Sequence, residues 1–219
     1  MRMRRKPWAR PELSQSSFYV ECPSVNIGNW SNNFPAKSPL HLELGCGKGS
    51  FIAEIASRNK DINYIAIDIK SEVLVVAKRN IELFYSKAQT ETDNILIFSQ
   101  DIERIDTVFN ENDVVDRIYI NFCNPWPKNR HKKKRLTHSR QLEKYKAFLS
   151  DKSEIIFKTD DIDLYNDSLL YFKESGFEIT FSTDDLYSHD LSDNIMTEHE
   201  RMFVNAGKNI CMIRASFIR

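Results

Sequence analysis

From His41 onward the chain alternates short apolar runs with segments of helical period, and this alternation decides the fold class. The runs are HLEL at 41–44, YIAIDI at 64–69, ILIF at 95–98, YINF at 119–122 and IIF at 155–157. Apolar runs this short and continuous suit strands covered on both faces. Between them, residues 50–58 place Phe51, Ile52, Ile55 and Ala56 on one face. Residues 71–87 repeat Val73, Leu74, Ala77, Ile81 and Phe84 at helical spacing, with Ser71 as the N-cap. Residues 141–149 and 164–175 also read as helices, the second stopped by Gly176. Such alternation predicts an α/β fold, a parallel sheet with helices on both faces. The ending differs: FEITFST and ICMIRASF read as two strands joined by a loop with no clear helix, an antiparallel pair closing the sheet.

Ahead of the alternation, residues 1–37 are polar and broken by Pro7, Pro11, Pro23 and Pro35. They read as a basic, irregular N-terminal arm, and 38–219 as one domain. With 41% hydrophobic residues, 219 residues suffice for one buried core. The formal net charge is zero, yet the charges are segregated. Arg2, Arg4, Arg5, Lys6 and Arg10 head the chain with no acid among them. Lys128, Arg130, Lys132, Lys133, Lys134 and Arg135 crowd a second stretch, and acids such as Asp160, Asp161, Asp163, Asp184 and Asp185 follow later. A local positive field is therefore available without a basic isoelectric point.

Cys22, Cys46, Cys123 and Cys211 are scattered with no CxxC pair. That argues against a zinc site or a disulfide framework and for reduced thiols in a cytoplasmic protein. No apolar run approaches the roughly 20 residues of a membrane helix. The basic N-terminus lacks the apolar segment of a secretory signal.

Three of the six glycines, Gly45, Gly47 and Gly49, crowd the stretch LELGCGKGSF. Glycine permits positive φ and close approach of a ligand to the backbone. The setting is strand, glycine loop, helix, and Asp68 ends the next run, about 20 residues on, where a carboxylate can accept both hydroxyls of a ribose. A dehydrogenase would want GxGxxG, and that third position is Ser50. Glu43 also places negative charge beside the loop, against a pyrophosphate. S-adenosylmethionine, with a ribose, no phosphates and a sulfonium cation, fits better. The plain alternative is that the glycines only mark a tight turn.

The run RIYINF leads into NPWPKNRHKKKR at 124–135. Loops leaving the carboxyl ends of central strands are where α/β enzymes build sites. An amide, two prolines and Trp126 beside dense positive charge suit a flat polar base attached to a polyanion.

Five elements in this order, LELGCGKGSF, YIAIDIK, INFCNPWPKNRHKKKRLTHS, FKTD and IMTEHE, resemble the bacterial tRNA (guanine-N7-)-methyltransferase family. The resemblance runs from about His41 to the end. It implies a Rossmann-like class I methyltransferase fold, a mostly parallel seven-stranded sheet with an antiparallel C-terminal strand. It implies methyl transfer from S-adenosylmethionine to N7 of a guanosine in the tRNA variable loop. The cofactor residues would be Glu43, Gly45, Gly47, Gly49, Asp68, Asp101 and Asn124, with Asp101 accepting the adenine amino group. Catalysis would rest on Asn124 and Asp160. Lys128, Arg130, His131, Asp160, Thr197, Glu198, His199 and Glu200 would bind substrate. Two positions depart from the family pattern: Asn124 replaces an aspartate, and His199 stands where a tyrosine is common. The expected partner is tRNA, with no membrane and no obligatory protein partner, for a monomer or weak homodimer.

Other readings stand beside these. The charge run can be a solvated face. Asp160 can cap the helix that follows, and Thr197 with Glu200 has capping-box spacing. An amino-group methyltransferase of the N6-adenine type would carry (D/N/S)-P-P-(aromatic), whereas here Trp126 precedes the second proline. A non-catalytic RNA-binding protein on a methyltransferase scaffold is the remaining alternative.

Overall fold

A computed structural model describes residues 6–191 and 194–218. Arg2, Arg4 and Arg5, counted above among the cations of the arm, lie outside the described residues. The chain divides after Asp113 into two compact units.

The first unit begins with α1 (Ala9–Leu13) and alternates β1 (Leu40–Leu44), α2 (Ser50–Arg58), β2 (Asn63–Asp68), α3 (Ser71–Ala88) and β3 (Ile95–Ser99). The three strands are parallel, with Leu42 opposite Ile65 and Ile65 opposite Leu96. Every residue of β1 is buried, as a strand covered on both faces requires. The helix α2 has the bounds its apolar face predicts. The helix α3 does not use Ser71 as a cap: Lys70 holds the N-cap position and offers no side-chain bond.

The segment expected to be irregular packs from Ala9 onward. Ala9, Leu13, Phe18, Trp30 and Phe34 are buried. Val20 N donates to Ile97 O (2.9 Å) and Ile97 N to Phe18 O (2.9 Å), which covers an edge of β3. Trp30 stacks on Phe98 and Phe109 with centroids 5.0 and 5.4 Å away, and its Nε1 donates to Val108 O (2.7 Å). Asp113 closes the same corner, accepting from the main chain at Gly28 (2.8 Å), Trp30 (3.3 Å) and Asn110 (3.0 Å).

The second unit holds β4 (Val115–Asn121), α4 (Ser139–Lys146), β5 (Leu149–Thr159), α5 (Ile162–Glu174), β6 (Glu178–Thr183), α6 (Glu198–Asn205) and β7 (Cys211–Phe217). β4 and β5 are parallel, and β7 lies antiparallel to both β5 and β6. The whole is a seven-stranded, mostly parallel sheet in the order β3-β2-β1-β4-β5-β7-β6.

Three expectations need correction here. The helix read at 141–149 starts earlier, where the His138 ring accepts from Arg140 N (3.1 Å), and Leu149 already belongs to β5. β5 runs well beyond the apolar core at 155–157. Its polar first half, with Lys152 at φ +62°, conceals the strand. The stretch between the last two strands contains α6. Gly176 does stop α5, at φ +74°. Gly176 N donates to Lys173 O (3.0 Å), Phe177 N to Phe172 O (2.9 Å), and the Phe172 and Phe177 rings meet at 5.6 Å, a complete Schellman ending.

Trp30→Ala should lower the unfolding free energy by about 3–5 kcal/mol, read from urea midpoints, because it removes a buried aromatic and its hydrogen bond.

Candidate functional site

In the first unit the chain must reverse between β1 and α2, and it does so with Gly45, Gly47 and Gly49 at φ +80°, +55° and +70°. Gly45 N and Cys46 N both donate to Ile67 O (2.8 and 3.0 Å). Gly47 N donates to Asp68 Oδ2 (3.0 Å), while Asp68 Oδ1 accepts from Lys70 N (3.0 Å). The carboxylate thus pins the loop to the end of β2. Burial pushes the Asp68 carboxyl above its ordinary value, against these main-chain bonds. Ile69 N–H adds a third main-chain bond, and the carboxylate still has acceptor capacity for a further donor.

The glycines differ in purpose. A Cβ on Gly49 would sit 2.6 Å from Ala77 Cβ, so this glycine lets α2 approach α3. A Cβ on Gly47 would meet nothing within 4 Å, so its backbone is bare to a ligand. Glu43 is 2% exposed within β1. Asp101 caps the 3-10 helix Ile102–Thr107 through a bond from Glu103 N (3.0 Å). Open space over Gly47 beside a carboxylate with spare lone pairs fits a bound nucleoside. The remaining residue expected at the cofactor, Asn124, belongs to the second unit.

There the chain leaves β4 in an unusual conformation. Phe122 has φ +51° and Trp126 φ +44°. Bulky residues hold such angles at a cost of about 1–3 kcal/mol each and only where neighbours fix them. Phe122 N donates to Lys158 O (2.9 Å). The exposed Asn124 turns its Oδ1 back onto Trp126 N (3.1 Å). Pro125 O accepts from Arg135 Nε (2.6 Å). Arg135 is 1% exposed, and its guanidinium also binds Asp167 Oδ2 on α5, which takes Lys132 Nζ as well (2.6 Å). Partial burial opposes ionisation of Asp167, but the bonds from Lys132 and Arg135 outweigh it and hold the carboxyl below its ordinary value.

The basic run is therefore two populations. Arg135 and Lys132 are struts, while Lys128, Arg130, Lys133 and Lys134 face solvent. Lys134 Nζ lies 5.2 Å from the Trp126 ring centre, and His131 meets that ring edge-on at 5.6 Å. Below the loop is an open, polar cleft of about 310 Å³, lined on one side by Asp161, Asp163, Asn166 and Asp167. None of these four was foreseen. Asp163 and Asp167 fall four apart on one helix, a spacing the sequence does show. Burial pushes the Cys123 thiol up to about 12, which leaves it protonated and inert.

Asp160 follows β5 and accepts from Lys208 Nζ (2.9 Å). It does not cap α5: its neighbour Asp161 does, accepting from Leu164 N (2.7 Å). Thr197 and Glu200 form the capping box of α6. Glu200 is 0% exposed, so these two side chains serve the fold, while Glu198 and His199 face outward. The His199 ring stacks on Phe122 at 6.1 Å and 22°.

Comparison with known proteins gives the class, a methyltransferase. The methyltransferase family model Methyltransf_4 matches residues 37–213. A solved 16S rRNA methyltransferase, KamB, superposes with a TM-score of 0.61 at 10% identity, over 86% of this chain and 90% of that one. A tRNA (guanine-N(7)-)-methyltransferase of Clostridium perfringens is 57% identical over 211 residues, 96% of each chain. One of Ruminiclostridium cellulolyticum is 52% identical over 218 residues, 99% of this chain and 92% of that one. The chain belongs to the tRNA (guanine-N(7)-)-methyltransferase family.

Asp167→Asn should destabilise the protein by about 2 kcal/mol at pH 7, since it weakens the anion facing a buried guanidinium. The folded carboxyl is depressed, so its contribution is full above the ordinary value of 3.8 and fades as pH falls through the lower folded value. Urea titrations should show wild type and variant converging only at acid pH.

Proposed function

We propose that the chain transfers a methyl group from S-adenosylmethionine to N7 of a guanosine in the variable loop of tRNA, forming 7-methylguanosine. The loop at 124–135 carries this reading. It is fixed from within by two cations, and it offers an aromatic ring, an amide and four exposed cations outward. Relatives matching almost the whole chain are named for guanine N7 of tRNA, which supports the same substrate.

Glu43, Gly45, Gly47, Gly49, Asp68 and Asp101 would hold the cofactor, with Asp68 receiving the ribose hydroxyls. When bound, S-adenosylmethionine supplies an electrophilic methyl group on a sulfonium sulfur. Guanine N7 offers an in-plane lone pair and carries no proton, so no residue has to act as a general base. The protein's task is alignment, which contributes several kcal/mol, up to roughly 7–11 in favourable intramolecular cases.

Asn124 suits alignment. Its Oδ1 is turned toward Trp126 N, which leaves the Nδ2 hydrogens to donate to guanine O6 or a cofactor acceptor. Asp160 adds negative charge to offset the positive charge developing on the base, tempered by Lys208. Glu198, His199 and His131 would flank the base. Thr197 and Glu200 would act by shaping the turn that carries them. Lys128, Arg130, Lys133 and Lys134 would meet phosphates. No helix among the described residues is long and apolar enough to cross a membrane, and a cytoplasmic monomer or weak homodimer is the setting we propose.

Incubation with methyl-labelled cofactor and unmodified tRNA, then nucleoside analysis, should yield 7-methylguanosine. N6-methyladenosine would instead identify an amino-group enzyme. Cofactor binding without transfer to any tRNA would leave an RNA-binding protein.

Lys133→Ala with Lys134→Ala should weaken binding to all tRNAs alike and flatten the plot of log affinity against log salt by about two counterions' worth. Lys132→Ala, whose ammonium is held by Asp167, should change that slope little. Equal slopes for wild type and the double variant would remove the run from the RNA face.

A further inference from the structure

We infer that Lys158 and Glu200 are positioning residues for the RNA side of the reaction: their buried ion pair ties Tyr187, Asn194, Ile195 and the start of α6 to β5, and so sets the His199 ring on Phe122. The inference rests on the function proposed above.

Lys158 is 3% exposed and Glu200 0%, with Nζ and Oε2 2.9 Å apart. The Lys158 ammonium also donates to Asn194 Oδ1 and to Ile195 O (3.0 Å). Glu200 Oε2 further accepts from Thr197 N (3.2 Å), and Oε1 from Tyr187 Oη (2.7 Å) and Asn194 Nδ2 (3.0 Å). All three ammonium donors are used, and the carboxylate accepts four bonds, its full capacity. Burial, then the bond to Glu200, pushes the Tyr187 hydroxyl well above its ordinary value, so it stays a donor.

Such a pair is a weak source of stability, because desolvation of two charges offsets their attraction and an apolar pair of similar volume often does as well. What it adds is fixed direction. Lys158 holds both members of one stack. Its main-chain oxygen receives Phe122 N (2.9 Å), where the chain turns left-handed just before Asn124. Its side chain, through Glu200, holds the turn of α6 that carries His199. The stack at 6.1 Å joins the loop bearing Asn124 to the segment bearing Glu198 and His199.

The test uses the full chain carrying Lys158→Met with Glu200→Gln. This removes both charges together, and a glutamine at the third helical position still serves a capping box. We expect a folded protein with unchanged cofactor affinity by calorimetry and a KM for unmodified tRNA raised on the order of tenfold or more. A purely structural role would lower kcat with the folded fraction and leave KM alone, and that result overturns the inference. So does a variant within about twofold of wild type in both constants. Should the double variant not fold, Tyr187→Phe keeps the ion pair and removes one bond to Glu200: a raised KM for tRNA supports the latch, and an unchanged one refutes it. Wild-type protein that methylates no tRNA overturns the proposed function itself, whereas active wild type with an indifferent variant overturns only the latch.

Discussion

Burying two cations is the constraint around which the second unit is arranged. Arg135 and Lys158 are almost wholly inside. A guanidinium does not shed its proton in a protein, and an ammonium inside needs an anion and acceptors to remain charged. Asp167 and Pro125 O answer the first, and Glu200, Asn194 and Ile195 O the second. Each set of partners comes from a different stretch of chain. Satisfying the charges therefore fixes the loop at 124–135 against α5 and the start of α6 against β5. The left-handed angles at Phe122 and Trp126 persist because these ties leave the backbone no relaxed alternative.

The first unit reaches the same end by a different route. No buried cation is needed at its glycine loop, because main-chain N–H groups are the donors. Ile67 O and the Asp68 carboxylate gather the N–H groups of Gly45, Cys46 and Gly47. Such a loop is held by its own backbone and keeps side chains out of the way. That is the appropriate design where a ligand must lie directly against the chain. The loop at 124–135, on the function proposed, displays an amide, a ring and charges, and it is braced from behind by side chains.

The legible parts of the sequence were those governed by local period or local chemistry. The face of α2 gave its bounds, Gly176 the end of α5, and the glycine cluster the turn after β1. What stayed hidden depends on partners distant in the chain. Six cations between Lys128 and Arg135 look alike in sequence; only Asp167, on a later helix, separates Lys132 and Arg135 from the four that face solvent. Asp160 and Asp161 are adjacent and identical, yet one caps α5 and the other pairs with Lys208. Trp30 sits among serines and asparagines, with no apolar period to announce a buried ring. The polar opening of β5 is a strand because β4 and β7 pair with it, not through its own residues. The helix α6 is short, and its capping box was visible as spacing, but nothing local distinguished a buried Glu200 from one awaiting a ligand.

Asn124 shows which property this site keeps and which it can relax. The turn from Asn124 Oδ1 to Trp126 N needs only a side-chain oxygen at that distance, and an aspartate or an asparagine provides one equally. The loop geometry is therefore indifferent to the exchange; what changes is one negative charge and the gain of two N–H donors. For a nucleophile that carries a proton, losing the carboxylate would remove the base. In the reaction proposed above, an in-plane ring nitrogen with its lone pair already exposed needs no base, so the exchange removes only a field, which Asp160 would still supply in part. The investment of structure follows that logic: Arg135 with Asp167 and Lys158 with Glu200 fix position, the second pair with every ammonium donor and carboxylate acceptor used, while the tip of the loop carries an uncharged amide.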